Sequence, residues 1–282
     1  MKTTTTTNIN DNHDAGSMLY FKDTKSLVAS VHRSVVWTAN QRSVTYADFN
    51  RPSRPHVLES SWVLSIGALP TENKQAASLS KDGYVRIIHA PANGLAIRVN
   101  ELVHTPGGTC MATCLRSVPD FIVSMENEIV QFDGTTCRQK SRYDLSEQVS
   151  ALMLLPESMV IGHESGRVSG YDLRNRKRSF HIEDIPPNNR PISFSMLGNT
   201  LYVGSLDGGL GMVDVRKGKS WSKIHWAPSK SIYATETKII SCDSVNGDIY
   251  SFFHGNLTEY IRTHVGSCVH VGYTGEVIVV AG

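Results

Sequence analysis

The sequence predicts an all-β protein built from one repeated unit. From residue 15 onward there is almost no helical periodicity, and short apolar runs alternate with Gly, Asn, Asp and Ser. A unit recurs in which a β-branched run, a polar turn and a second apolar run follow one another, the last ending in an acidic or polar residue. The chain of 282 residues is long enough to form one large β domain.

The polar turns of this unit are regularly spaced. Six of them are anchored on Arg42-Ser43, Asp82-Gly83, Asn127-Glu128, Ser165-Gly166, Asp207-Gly208 and Asn246-Gly247. Successive anchors are roughly 40 residues apart, which is close to the period of a four-stranded propeller blade. An inner strand precedes each pair of runs and a more polar outer strand follows it. The outer strand of the second unit is predicted at Leu95–Val99, and the inner strand of the third at Met111–Arg116.

The two ends of the chain predict how a ring of blades closes. Residues 268–282 supply only two strands, Cys268–Tyr273 and Val277–Val280. The strand-like segment Ser17–Asp23 has no blade of its own, so we expect it to pair with these C-terminal strands and remove their exposed edges. Its place, third or outermost, is left open. Residues 15–282 are thus one seven-bladed domain, and residues 1–14, rich in Thr and Asn, are expected to be a disordered tail.

Two strand endings carry a family resemblance. Tyr171-Asp172-Leu173-Arg174 and Val213-Asp214-Val215-Arg216 resemble the Trp-Asp ending of WD repeats, and Lys81-Asp82-Gly83 resembles the turn before that strand. No repeat has the Trp-Asp pair itself, and the family's Gly-His dipeptide is missing. The resemblance covers nearly the whole chain from about Gly16. It implies a WD-repeat-like β-propeller that acts as a protein-interaction platform.

Two short segments suggest narrower functions. Ala15–Asp23 and Asn256–Arg262 are similar to segments of the WD-repeat subunits of methylosomes, which implies a protein arginine methyltransferase as partner and basic substrates such as histone tails. The segment Tyr171–Arg174 also resembles the arginine-ended box of substrate receptors for cullin-type ubiquitin ligases. A coat, nuclear-pore or ribosome-assembly scaffold is a further alternative, and an enzyme on a propeller frame is the competing class.

Catalytic and metal-binding motifs find no support in the sequence. Gly218-Lys219-Ser220 resembles the end of a phosphate-binding loop, but that motif needs a glycine where Val213 stands. Cys110 and Cys114 are four residues apart on a predicted strand, roughly 13 Å along an extended backbone, which is too far to share a zinc ion. We therefore expect core thiols, no cofactor, no metal site and no enzyme activity.

The composition limits the classes of partner that the protein is expected to have. The net charge of +2 favours neither coating nor repelling nucleic acid, so a charge-driven partner must use a local patch. Five cysteines, an odd number, do not suggest a disulfide framework, and the polar residues after Met1 do not suggest a signal peptide or membrane span. We expect an intracellular protein, cytoplasmic or nuclear, with other proteins as partners and with neither membrane nor nucleic acid among them.

Charge is expected to differ between the two faces of the disc. Turns between second and third strands reach one face, and their acidic residues are Asp82, Glu126, Glu128, Glu164, Asp207, Asp243 and Asp248. Turns between third and fourth strands reach the other face, and two of them carry Arg174, Arg176, Lys177, Arg178, Arg216, Lys217 and Lys219. An acidic rim would attract a basic peptide, and a basic ridge would attract an acidic partner or a phosphate. Turn chemistry alone also favours Asp and Asn before Gly.

Tryptophan supplies the candidate anchors, since exposed Trp is enriched at interface hot spots. Trp221 and Trp226 flank Lys223 in what the sequence suggests is a polar link between blades. One of the two is expected to be an anchor for a partner. Trp62, just before an inner strand, is expected to be a packing residue.

Overall fold

The computed structural model describes residues 18–22, 28–32, 35–48, 56–59, 61–71, 74–90, 98–114, 119–183, 189–206, 209–217, 221–243, 247–253, 255–261, 268–273 and 277–281. All regular structure in these ranges is β-strand, which confirms the predicted all-β class. No helix able to span a membrane occurs among them.

The strands fall into sheets in chain order. The strands are β1 Met18–Lys22, β2 Val28–His32, β3 Val35–Ala39, β4 Ser43–Asp48, β5 His56–Glu59, β6 Val63–Ala68, β7 Gln75–Ser80, β8 Tyr84–His89, β9 Arg98–His104, β10 Gly108–Thr113, β11 Asp120–Met125, β12 Glu128–Asp133, β13 Gln139–Asp144, β14 Val149–Leu154, β15 Ser158–His163, β16 Val168–Asp172, β17 Lys177–Ile182, β18 Pro191–Leu197, β19 Thr200–Ser205, β20 Gly209–Asp214, β21 Ser222–His225, β22 Ser229–Ala234, β23 Ile239–Asp243, β24 Ile249–Phe253, β25 Asn256–Ile261, β26 Cys268–Tyr273 and β27 Val277–Ala281.

Consecutive strands form antiparallel meanders of four. Sheets 1 to 6 are β2–β5, β6–β9, β10–β13, β14–β17, β18–β21 and β22–β25, and sheet 7 has the order β1-β27-β26. The first strand of each sheet contacts the first strand of the next, from β2 round to β26, and β26 contacts β2. This arrangement is a β-propeller, as the repeat spacing predicts.

The N-terminal strand pairs with the C-terminal strands, as expected. Strand β1 lies parallel to β27, with Met18 opposite Val277 and Lys22 opposite Ala281. It occupies the third position in sheet 7, a point that the sequence leaves open. The parallel direction follows from the connection to β2. In an antiparallel meander the fourth, outer strand runs parallel to the second strand and leads into the inner strand of the next sheet. Strand β1 likewise runs parallel to β27, the second strand of sheet 7, and precedes β2, but it pairs with β27 directly because sheet 7 has no other strand between them.

Two strands are displaced from their predicted positions, and one predicted link is a strand. Strand β9 spans Arg98–His104 and not Leu95–Val99, and β10 begins at Gly108 and not at Met111. The cause is a tight turn at Pro106-Gly107, where Gly107 has φ +69°, so little chain is left for a loop between these sheets. Ser222–His225, expected to be a link, forms the outer strand of sheet 5.

The core lies between neighbouring sheets, because second and third strands are covered on both faces. One cluster joins Trp37 and Tyr46 of sheet 1, whose ring centroids are 4.8 Å apart, to Ile66 of sheet 2. Another contains the stacked rings of Phe121 and Phe132. Burial of each large apolar side chain contributes about 1.5–3 kcal/mol, so the stability resides largely in these inter-sheet layers.

Serine side chains join the inner strands of neighbouring sheets near the axis. Ser30 of β2 accepts the backbone N–H of Ala68 at 2.9 Å, and Ser65 of β6 donates to the carbonyl of Met111 at 3.1 Å. In sheet 5 Ser193 donates to the carbonyl of Ser229 in sheet 6 at 2.6 Å. These bonds satisfy polar groups where large side chains have little room, and they fix the sheets relative to one another.

Candidate protein-interaction surfaces

The meander sends its turns to two opposite faces. We call the face with the second-to-third-strand turns and the links between sheets the front face. The back face carries the first-to-second and third-to-fourth-strand turns. The predicted acidic rim belongs to the front face and the predicted basic ridge to the back face.

Acidic residues of the front face are paired with arginines. Asp82, in the β7–β8 turn, accepts two bonds from Arg86, with an Nη2–Oδ2 distance of 2.5 Å, and a third from Ser61 at 2.8 Å. The hydrogen bonds from Arg86 are the main reason why the pKa of Asp82 falls from its usual 3.8 to about 2. The carboxylate is therefore ionised, but its charge is compensated within its own sheet.

The same compensation recurs in sheets 3 and 4. Glu128 pairs with Arg142 at 2.5 Å, and Glu164 pairs with Arg190 at 2.9 Å. Glu126 is exposed in a turn where it has φ +46° and forms no ion pair among the described residues. Asp82, Glu128 and Glu164 therefore lie on the front face as the sequence predicts, but arginines compensate their negative charge.

Two predicted rim residues are not on the surface. Asp243 and Asp248 are only 2% and 5% exposed, so the expectation of a rim position is wrong for both. Their backbones bond to each other at 2.8 Å across the β23–β24 turn, and Asp248 accepts a bond from the hydroxyl of Tyr260 at 2.8 Å. The backbone bond holds the adjoining ends of this pair of strands together. Asp207 lies outside the described residues.

The third-to-fourth-strand turn of sheet 4 is tightly organised by Asp172. Its Oδ1 accepts the backbone N–H of Arg174 at 2.8 Å, and its Oδ2 accepts the Arg174 guanidinium at 3.0 Å. Arg174 also pairs with Glu157 at 3.3 Å. These bonds lower the pKa of Asp172 and raise that of Arg174.

Sheet 5 repeats this arrangement. Asp214 accepts the backbone N–H of Arg216 at 3.0 Å and its guanidinium at 3.1 Å. The side chains of Arg174 and Arg216 are each 67% exposed although both are paired. The acidic residue that resembles the Trp-Asp ending thus caps the turn and orients the arginine two residues later.

Other cations of the predicted ridge are not compensated in this way. Arg176, Lys177 and Arg178 are exposed, as is Lys217, and none of them forms an ion pair among the described residues. The turn that carries them is fixed, since Asn175 accepts the backbone N–H of Lys177 at 2.9 Å and Arg176 has φ +58°. Lys219 lies outside the described residues.

Trp226 is the most exposed large apolar side chain in the described part of the chain, at 78%. It follows β21 on the front face, and a side chain at Gly209 would overlap the Trp226 backbone, so this link is held against the β19–β20 turn. The ammonium of Lys223 lies 3.0 Å from the centroid of the indole ring. Exposed Leu206 begins the same turn. Sequence reasoning missed Leu206, although an apolar residue just before a polar turn is a visible signal.

The other two tryptophans differ from expectation. Trp221 packs with the inter-sheet cluster that contains Val213, and its ring lies over Gly211, so it is a packing residue and not a surface anchor. Trp62 is 41% exposed on the front face, where Lys81 lies 4.9 Å from its ring centroid. The expectation that Trp62 is a packing residue is therefore only partly met.

A polar chain crosses the outer half of sheet 4. His163 bonds to Ser169 at 3.2 Å, Ser169 bonds to His181 at 2.9 Å, and His181 lies 3.3 Å from Glu183. Burial is the main cause of the lowered pKa of His163, which keeps it neutral near pH 7. The order of groups is that of a serine nucleophile and its base, but Ser169 is buried within β16. A substrate could not reach its hydroxyl.

The described residues include no group of three His, Cys, Asp or Glu able to hold a metal ion. Cys114 is buried in the core cluster between sheets 3 and 4, and Cys110 packs against it. The packing role expected for these two thiols agrees with those positions.

Comparisons with known proteins bear on the fold alone. No family model and no curated protein matches the chain. Among many matching solved structures, Raptor from Chaetomium thermophilum is similar with a TM-score of 0.75 at 12% identity, over 90% of this chain. The chain is a β-propeller. It spans 27% of the Raptor chain, so the likeness assigns none of Raptor's activity or partners to this chain.

Proposed function

We propose that this propeller is a non-catalytic scaffold that binds a protein partner on its front face, with Trp226 as the anchor. The exposure of Trp226 carries the proposal. A large aromatic side chain that a rigid frame presents to solvent offers a partner apolar area at a low cost in conformational entropy, and Trp is enriched at binding hot spots.

The surroundings of Trp226 support this role. Close contact between Gly209 and the backbone at Trp226 fixes the position of the residue, so little conformational entropy is lost when a partner binds. Beside it, the ring of His225 packs 4.3 Å from that of Tyr250 in sheet 6. The anchor therefore stands at a junction that two sheets hold in place.

The non-catalytic part of the proposal rests on the chemistry of the described residues. The chain from His163 to Glu183 is the arrangement nearest to a catalytic one, and its serine is buried. A nucleophile or general base must reach the substrate within hydrogen-bond distance, which Ser169 cannot do.

Trp226→Ala is the test, with Phe253→Ala as the matched control. Phe253 is an exposed aromatic residue that ends β24 on the back face. Tagged wild-type protein and both variants are purified from the native cells, and the bound proteins are quantified by mass spectrometry. We expect Trp226→Ala to lower recovery of a stoichiometric partner about tenfold or more, which is the usual effect of a hot-spot truncation. Equal recovery with Trp226→Ala and wild type would reject the anchor.

The narrower hypothesis of an arginine methyltransferase partner stays a prediction from the sequence. The arginines that neutralise Asp82, Glu128 and Glu164 weigh against capture of basic peptides on the front face. An intracellular location, cytoplasmic or nuclear, likewise stays a prediction.

A substrate receptor of a cullin-type ubiquitin ligase is the second candidate. The repeated Asp-x-Arg turn favours it, because Arg174 and Arg216 are presented in the same way on adjacent sheets. Co-purification of a cullin adaptor that is lost in Arg174→Ala would support this function. Retention in that variant would oppose it.

A further inference from the structure

We propose that the basic ridge on the back face binds an acidic peptide segment of a partner protein. The proposal deepens the scaffold function, since it assigns a second partner chemistry to the face opposite Trp226. Of the two charge-driven attractions that the sequence predicts, it develops the one between the basic ridge and an acidic partner.

The cluster of unpaired cations on the back face is the first argument. On the front face, Asp82, Glu128 and Glu164 each have an arginine partner within 2.9 Å. On the back face, the acidic residues Asp172 and Asp214 pair with Arg174 and Arg216. The described ridge residues left without an ion pair are Arg176, Lys177, Arg178 and Lys217. The excess charge that a partner meets there is positive.

The fixed shape of the sheet 4 turn is the second argument. Asp172 accepts a backbone bond from Arg174, and Asn175 accepts one from Lys177, so both halves of the turn are held. Arg176 has φ +58° between them. The backbone that carries three consecutive cations is thus ordered before any partner arrives, and less entropy opposes binding.

Neighbouring sheets extend the same surface. Lys217 lies in the equivalent turn of sheet 5, where it donates its backbone N–H to the backbone carbonyl of Asp214 at 3.1 Å. Because the molecule as a whole carries only +2, attraction must be local and must act within about 10 Å at ordinary salt. Two adjacent turns with unpaired cations match an extended segment with several carboxylates better than a single anion.

The test is fluorescence anisotropy on the purified full chain. The probe is a labelled 12-residue peptide of Asp, Glu, Gly and Ser, and a second peptide replaces Asp and Glu by Asn and Gln. The ridge variant is Arg176→Asn with Lys177→Gln, since Asn tolerates a positive φ. The control variant is Arg42→Gln with Lys81→Gln, which removes the same charge from two exposed turn residues of the front face.

We expect the wild type to bind the acidic peptide and not the neutral one, and to bind it more weakly as salt is raised. The ridge variant should bind about three- to tenfold more weakly, the effect of two exposed ion pairs. The control variant should match the wild type. Circular dichroism melts identify any variant that misfolds. If the double ridge variant misfolds, the single variant Lys177→Gln is measured in its place, and a smaller loss of peptide affinity is expected.

Three outcomes would overturn the proposal. They are no saturable binding of the acidic peptide, an equal loss in both variants, and tighter ridge-dependent binding of a single-stranded RNA of the same length. Because the measurement uses a purified chain and a synthetic peptide, none of these outcomes bears on the proposal that a partner binds at Trp226. Failure of the scaffold proposal would in turn show in the Trp226→Ala purification.

Discussion

At the scale of single residues, glycines in third strands make room for aromatic rings in or just before the outer strands. A Cβ at Gly170 would overlap the ring of Phe180, and a Cβ at Gly211 would overlap the ring of Trp221. The ring of an outer strand can therefore lie flat on the backbone of its neighbour, which protects that backbone from water.

Gly211→Ala tests this packing. The added methyl group must displace the Trp221 ring, and overpacking of this kind costs about 1–3 kcal/mol, measured by chemical denaturation. Trp221→Phe makes space and also removes an indole N–H that is buried without a hydrogen bond. The double variant should therefore lose less stability than the sum of the two single variants. Strictly additive losses would mean that the ring does not depend on Gly211.

Asp82 gives a pH-dependent prediction. Because the folded-state pKa, about 2, is below the ordinary 3.8, the ion pair stabilises the fold above pH 4, and this stabilisation disappears as pH falls through about 2. Asp82→Asn should lower the unfolding free energy by about 1 kcal/mol at pH 7, a value reduced for screening because the pair is partly exposed. Thermal melts at pH 7 and pH 3 should show a smaller difference between wild type and variant at pH 3. A difference that grows on acidification would contradict the assignment.

Individual residues were the least predictable part of the site from sequence. Asp243 and Asp248 flank a turn as Asp82 does, but both are buried, and burial depends on tertiary packing that the local sequence does not show. The arginine partner of Asp82 lies four residues later and could have been found by spacing, whereas Arg190 reaches Glu164 from another sheet. Long-range pairs of that kind leave no local pattern.

At the scale of elements, β1 is the strand whose removal has the largest predicted effect. It covers the edge of β27 along five residues, from Met18 to Lys22. Deletion of residues 1–22 should expose that edge and lower the melting temperature by several degrees or more.

Deletion of residues 1–14 is the control, and it should leave the melting temperature unchanged if the tail is disordered, as its composition predicts. Differential scanning calorimetry distinguishes the two deletions. An equal melting temperature for the wild type and the longer deletion would exclude a structural role for β1.

Most strands were predictable because their apolar runs are bounded by turn residues that act locally. The unit around Asp82-Gly83 shows this, since β7 and β8 end and begin next to that pair. The outer strands were harder, because they are half exposed and their polar sequences resemble loops. Strand β21 was mistaken for a link for this reason.

At the scale of the whole molecule, periodicity was sufficient to predict the architecture, since each unit cannot bury its apolar faces without its neighbours. The functional surface was less predictable. Trp226 was recognised by residue type, but its exposure follows from the way Gly209 and β21 meet, which is a tertiary feature. The two proposed sites lie on opposite faces, so one propeller could hold two partners at once.

Site-specific photocrosslinking tests the scaffold claim most directly. A photoreactive phenylalanine analogue replaces Leu206, which is exposed beside Trp226 on the front face, in one sample and Phe253 in another, and the cells are irradiated before lysis. The partner anchored at Trp226 should crosslink to position 206, and that same partner should not crosslink to position 253. Equal crosslinking of the same partner from both positions, or no crosslinked partner from position 206, would contradict the assignment of Trp226 as the anchor of a scaffold.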